Sequence, residues 1–241
     1  MLKSLLIIPL LTLVLSQNAF AFLYWGSIDI ATIKQKLPSL KFNIPVEVQS
    51  DKSKKTLDTE FSFEVLKPGV ESKSTLSKIR ARWKLRFNKN VLLISEAKTN
   101  GFIPREEWEN YLSGSWRDLF VLRSDDSFTT LHNQERVIIA RLRGKVQGII
   151  KYRHQDKVIY IDEILTNPDA VLPGPVRPEG TILNAPRALV KRVFLAAVRT
   201  GKSGIVTYAS NERSGSLLEE AGFESTSREE LQSKFSFCAK D

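Results

Sequence analysis

Between Arg136 and Asn167 the chain places three strand-length runs in immediate succession, "RVIIARLRG", "KVQGIIKYRHQ" and "KVIYIDEILTN". Each is rich in Val, Ile and Tyr. Gly144-Lys145 and Gln155-Asp156 separate them, and connections that short join only antiparallel neighbours, so the stretch predicts a meander. A Pro/Gly-rich loop, "PDAVLPGPVRPEGTILN", then leads into "PRALVKRVFLAAVRTG". There Pro186 suits a first helical turn, Leu189, Val190, Val193 and Ala197 share one side, and Gly201 suits a helix end. The strand-like "GIVTYA", a helix from Asn211 to Gly222-Phe223 and a last expected strand, "KFSFCAK", complete the order β-β-β-α-β-α-β. That order predicts an α/β (α+β) domain with a mixed, largely antiparallel sheet flanked by helices.

The part before it reads differently. "KFNIPVEV", "FSFEV" and "KIRARWKLRF" all alternate apolar and polar residues. In the last, Ile79, Ala81, Trp83, Leu85 and Phe87 alternate with Lys78, Arg80, Arg82, Lys84 and Arg86, which on a strand separates an apolar face from five positive charges. With "SDKSKK" as a polar loop and Asn88-Lys89-Asn90 as a turn into "VLLIS", residues 41–95 are expected to form a small antiparallel β region. Its basic face serves either as an anion-binding surface or as a solvated face paired with Glu60 and Glu64 across the sheet. "PREEWENYLSGSWRDLF" is expected to be helical, with Trp108, Tyr111, Leu112, Trp116 and Leu119 as a core stripe and Gly114 as a break.

Residues 1–21, "MLKSLLIIPLLTLVLSQNAFA", have the three parts of a cleavable export signal: Lys3, an apolar run from Leu5 to Leu15, and the small-x-small end Ala19-Phe20-Ala21. The expected organisation is therefore a signal peptide over 1–21, a β-rich region over 22–89 and the α/β domain over 90–241, in a periplasmic or secreted protein. An uncleaved anchor is the alternative. Export and a single cysteine, Cys238, together leave a fold held by its core, with no internal disulfide. Two histidines and one cysteine exclude the usual zinc constellations, so no metal is expected. The formal charge of +9 favours anionic partners without choosing among them, and no specific nucleic-acid motif is present.

Over residues 90–241 the element order, the Gly in "GKVQGIIKY", the Pro that follows "YIDEILTN" and above all "GIVTYASNERSGSLLEEAGFE" resemble the GNAT superfamily of acyl-CoA-dependent N-acyltransferases. The resemblance implies acetyl-CoA or another acyl-CoA as co-substrate and an amine as acceptor. Arg177, Gly180 and Thr181 stand where that family holds a pyrophosphate on free backbone N–H groups, although Ile182 replaces a small residue. The same resemblance implies that Leu165 and Thr166 lie beside the thioester position, that Asn211 caps its helix at the cofactor site and that Ser214 faces the pantetheine arm. A carboxylate takes the amine proton, here Asp162 or Glu163. Alternation places these two on opposite faces, and parity with Thr166 favours Asp162, with Tyr160 on the same side. Leu218 occupies the usual position of a proton-donating Tyr, for which Tyr208 is a substitute. Two functions follow: an exported N-acyltransferase, or a protein that keeps the fold and acts by binding.

Overall fold

The computed structural model describes residues 24–36, 46–50, 53–57, 59–104, 128–209 and 212–236, with residues 107–109, 111–112, 115, 118 and 122 between them. The expected signal peptide, Phe42, Ile44, Gly114, Trp116, Leu119, Asn211 and Cys238 lie outside the described residues.

Among the described residues the strands and helices in chain order include β1 Tyr24–Asp29, α1 Ile30–Lys36, β2 Val46–Ser50, β3 Ser53–Leu57, β4 Ser62–Leu66, α2 Val70–Thr99, β5 Glu135–Leu142, β6 Lys145–Gln155, β7 Val158–Thr166, α3 Ala185–Arg199, β8 Gly204–Ala209, α4 Glu212–Ala221, β9 Glu224–Thr226 and α5 Arg228–Phe235. Seven strands form one sheet in the order β4-β5-β6-β7-β8-β1-β9, and β2 and β3 form a separate pair. Within the seven-stranded sheet all neighbours are antiparallel except β7 and β8. This is the mixed, mainly antiparallel sheet expected, with the meander at β5 to β7. No helix among the described residues is long and apolar enough to cross a membrane.

The sheet buries both faces. Ile138, Ala140, Ile150, Ile159, Ile161 and Ile205 pack under α3, whose Leu189, Val193 and Ala197 face them. Val137, Ile139, Ile149 and Leu165, alternating with the first set, pack under α2. Val158 and Val206 meet Leu231 and Phe235 of α5. Gly148 has a packing reason, because a Cβ there would stand 2.9 Å from Leu189 Cδ1 and 3.3 Å from Ala185 Cβ, so its absence lets α3 lie close to β6. Gly222 ends α4 with φ 92°, a left-handed conformation that glycine adopts without a Cβ clash.

The expected strand "KIRARWKLRF" is instead the middle of the 30-residue helix α2, and the boundary expected between residues 89 and 90 falls inside that helix. Its buried positions are Ser72, Leu76, Ile79, Trp83, Phe87, Asn90, Ile94 and Ala97, spaced three and four apart. Ile79, Trp83 and Phe87 are four apart, a spacing that strand alternation and a helical stripe share. Ala81 and Leu85, which only a strand would bury, are exposed, Leu85 at 74%. "VLLIS" continues the same helix, and Asn90 sits buried within it, its amide donating to the Pro168 carbonyl at 2.6 Å. Glu64 of β4, expected opposite this basic segment, instead accepts from Arg141 of β5 at 2.8 and 2.9 Å.

Three further expectations shift. "FSFEV" does form a strand, β4, but it joins the main sheet, and Ser53–Lys55 of the expected polar loop belong to β3. The last strand is β9 at Glu224–Thr226, whereas Lys234 and Phe235 of "KFSFCAK" belong to α5. Helix α5 starts on a capping box, Ser227 accepting from the Glu230 amide while the Glu230 carboxylate accepts from the Ser227 amide. Between β8 and β9 runs β1, drawn from the start of the described chain.

Candidate active site

The site originates in one extra residue. Along β6 and β7 the register pairs Lys151 with Glu163 and Tyr152 with Ile161, so Asp162 is the unmatched residue of a β-bulge. A bulge bends its strand and sharpens its twist. The parallel pairing of β7 with β8 covers only Val158–Ile161 against Gly204–Thr207. Beyond that point β7 continues to Thr166 and β8 to Ala209 without a partner in each other. The Thr207 hydroxyl donates to the Ile161 carbonyl at 3.2 Å, at the last paired position before the fork.

A cavity of about 180 Å³ occupies the fork. Asp162, Glu163, Ile164 and Thr166 border it from β7, Thr207 and Tyr208 from β8, Leu183 and Pro186 from the start of α3, and Ser214, Leu217 and Leu218 from α4. Asp118 also borders it. The bulge undoes the alternation on which Asp162 was preferred. Ile159 and Ile161 face α3 while Val158 and Tyr160 face α5, yet beyond Asp162 it is Ile164 that packs on the α3 side and Leu165 on the α2 side. Asp162 and Glu163 consequently both border the cavity, and parity carried back from Thr166 does not apply. Leu165 is 1% exposed with its side chain in the core under α2, so it borders the site through its backbone at most.

Asp162 is a largely buried acid of the fork. Its side chain is 18% exposed, and its Oδ1 lies 3.5 Å from Arg153 Nε, close enough for charge attraction. Its Oδ2 is buried without a hydrogen-bond partner among the described residues. Burial raises its pKa to about 6, with Arg153 and then Lys151 opposing. Those cations are themselves placed: Lys151 Nζ sits 3.0 Å from Glu135, and the Arg153 guanidinium lies 4.6 Å from the Tyr160 ring centroid. Burial, with the Asp162 charge next in effect, pushes the Tyr160 phenol up to about 12. Tyr208 is 38% exposed, its ring 5.1 Å from that of Trp25 on β1, which also approaches Tyr160 at 6.0 Å.

The loop expected to cradle a pyrophosphate is laced to β2. The Gly180 amide donates to the Gln49 carbonyl at 2.7 Å, the Gln49 amide to the Thr181 carbonyl at 2.9 Å, and the Leu183 amide to the Glu47 carbonyl at 2.9 Å. The Thr181 amide turns back to Pro178 at 3.3 Å. Arg177 is tied down as well, donating to the Leu172 carbonyl at 2.9 Å and to Gln49 Oε1 at 3.1 Å, and burial lowers its pKa. Asn184, at the N-cap of α3, accepts from the Glu47 amide at 3.1 Å instead of capping the helix. Ile182 does not plug the fork. It is 6% exposed, bridges to Val48 and packs in the core with β2. The amides of Gly180, Thr181 and Leu183 are spent within the chain, so these three are not available to a coenzyme A diphosphate, while the fork remains open to a slender acyl arm.

The residues that sequence reasoning missed came mostly from distant segments. Gln49 and Glu47 bind the loop from 128 to 137 positions away, and Trp25 arrives with β1. Thr207 and Leu217 lie inside motifs already singled out, but only the bulge shows that they border a cavity.

No family model matches the sequence, and no curated protein matches it. Among solved structures, a functionally unknown conserved protein from Staphylococcus epidermidis aligns over 85% of this chain and 57% of its own, at 10% identity and TM-score 0.36. A GCN5-related N-acetyltransferase from Sphaerobacter thermophilus aligns over 85% of this chain and 48% of its own, at 12% identity and TM-score 0.40. The PaiA N-acetyltransferase from Thermoplasma acidophilum, solved with coenzyme A, aligns over 68% of this chain and 90% of its own, at 15% identity and TM-score 0.36. This chain thus spans about half the length of the first two. Likenesses this distant transfer no activity to it.

Proposed function

We propose that the protein is an N-acyltransferase whose reactive centre is the β7–β8 fork, acting on an acyl thioester that enters by its acyl arm and is not gripped by a diphosphate. The observation that carries this reading is the bulge at Asp162. One extra residue both opens the fork and sets a buried carboxylate, titrating near 6, on its wall.

In the reaction proposed, an amine held beside Asp162 attacks the thioester carbonyl carbon, forming a C–N bond while the C–S bond breaks. Asp162, ionised above its pKa, accepts the amine proton, and Tyr208 at the cavity edge is placed to return a proton to the leaving thiolate. Positioning in the narrow fork supplies most of the remaining rate. Acyl-CoA would bind only through its pantetheine end, because Gly180, Thr181 and Leu183 offer no free amides. Export rests on the leader-like residues 1–21. A second reading, a binding protein that has kept the fold without the reaction, is favoured by the lacing of the loop to β2 and by Leu218.

Thiol release separates the two. With S-acetylpantetheine and a panel of amines, the reading predicts release that depends on amine and falls at least 100-fold in Asp162→Asn, from the usual 10²–10⁴-fold worth of a general base. Absence of amine-dependent release from both S-acetylpantetheine and acetyl-CoA supports the second reading.

A further inference from the structure

Helix α2 carries eight Lys and Arg residues against two Glu, most of the excess charge of the chain. Six large apolar side chains stand exposed among the described residues, and five belong to this region: Val65 and Val70 at its start, Leu85 and Leu92 upon it, and Phe102 after its end. At 3.6 residues per turn, Leu92, Leu85, Lys78, Lys89 and Arg82 fall in that order within an arc of about 80°. All five are exposed, and the opposite arc holds Ile79, Trp83 and Phe87 against the sheet. Glu71 and Glu96 share the outer arc at its two ends, leaving its centre purely cationic and apolar.

A groove of about 900 Å³ runs between this arc and the β5–β6 turn, where Lys145 faces Lys78, Arg82 and Lys89. Two other cations along it are committed, Arg86 to Asp169 and Arg141 to Glu64. Among the described residues, Lys78, Arg82, Lys89 and Lys145 form no ion pair. Four unneutralised cations around two exposed leucines form a site for a partner that is anionic and apolar at the same edge.

We propose that the outer arc of α2 docks on an anionic lipid bilayer, with Leu85 and Leu92 below the headgroups and Lys78, Arg82, Lys89 and Lys145 at the phosphates. Long basic side chains suit this arrangement, since their stems lie along apolar surface while their charges stay with the headgroups. The groove receives a headgroup between its two banks. A single-stranded nucleic acid is a poorer match, because base stacking needs an open ring and Trp83, the aromatic lining this groove, is 4% exposed. An acidic protein would neutralise the cations but leave both leucines against polar surface. This surface lies apart from the β7–β8 fork and stands whether or not the fork is catalytic.

The test is co-sedimentation of the full chain with vesicles of phosphatidylcholine alone and with vesicles that also contain phosphatidylglycerol, at low salt. The apolar run Leu5–Leu15 contributes alike to both, so the difference between them reads the charged surface. Binding is expected to rise on the anionic vesicles. The variant Lys78→Gln/Arg82→Gln/Lys89→Gln should lose on the order of 100-fold of that affinity, each cation near such a surface being worth roughly fivefold. Leu85→Ser/Leu92→Ser should weaken binding at unchanged charge. These positions are exposed, so thermal melting should show both variants folded. Equal binding to both vesicles, or an unaffected triple variant, overturns the proposal. So does an unaffected leucine variant whose vesicle binding a soluble polyanion such as heparin displaces, which would point to an acidic macromolecule.

Discussion

Replacing Asp162 by Asn should make the folded protein more stable at neutral pH. In the fold the carboxyl titrates near 6, raised chiefly by burial, against an ordinary value of 3.8. A raised carboxyl means that the folded state holds its proton more tightly than the unfolded chain. Its stabilising contribution is fully present below pH 3.8, declines as pH rises towards 6, and is gone above it. The interval corresponds to about 3 kcal/mol at 1.36 kcal/mol per pH unit. Asn imitates the neutral carboxyl at every pH and so keeps what Asp loses. Urea unfolding from pH 4 to 8 should show Asp162→Asn gaining up to about 3 kcal/mol over the parent chain at pH 7.5 and close to none at pH 4. Loss of amine-dependent thiol release in the same variant would mark the trade of stability for function seen at strained sites. An Asn variant no more stable than the parent at pH 7.5, with an unchanged pH slope, would refute the idea that this carboxylate is held ionised against its surroundings.

Other outcomes test the architecture. Phe87→Ala should cost about 3–5 kcal/mol and Leu85→Ser within about 0.5 kcal/mol, whereas a strand would have placed both on one buried face; comparable costs would argue against α2 as described. Gly148→Ala brings a Cβ to 2.9 Å from Leu189 Cδ1 and should destabilise by about 1–3 kcal/mol. Adding Leu189→Ala should recover part of that loss in a double-mutant cycle, and strict additivity would deny the contact. If residues 1–21 are a cleaved leader, N-terminal sequencing of the purified protein should begin at Phe22, a cut that leaves all of β1 intact; a start at Met1 would support the anchored alternative.

What the sequence made legible was local. The meander β5 to β7, helix α3 behind Pro186, strand β8 and the Gly222 turn each carry their signal within one element. Helix α2 was misread because Ile79, Trp83 and Phe87 satisfy two periods at once. Its length, and the apolar positions Leu76, Ile94 and Ala97 that keep the helical spacing, would have decided the matter. The fork was half visible: Asp162, Glu163, Thr166, Tyr208 and Ser214 were all singled out, and all border one cavity. The bulge left no mark in composition, so the facing inferred by alternation failed at that residue. The insertion of β1 beside β8 and the lacing of Gly180 and Leu183 to β2 are pairings across more than 130 residues, for which hydrogen bonds between main-chain atoms leave no side-chain signature.

Calorimetry comparing three ligands bears most directly on the central claim: S-acetylpantetheine, acetyl-CoA and adenosine 3′,5′-bisphosphate. Similar affinity is expected for the first two and none for the third, because the fork accepts the acyl arm while Gly180, Thr181 and Leu183 spend their amides within the chain. Acetyl-CoA binding far more tightly than S-acetylpantetheine would contradict it, as would no binding of either thioester.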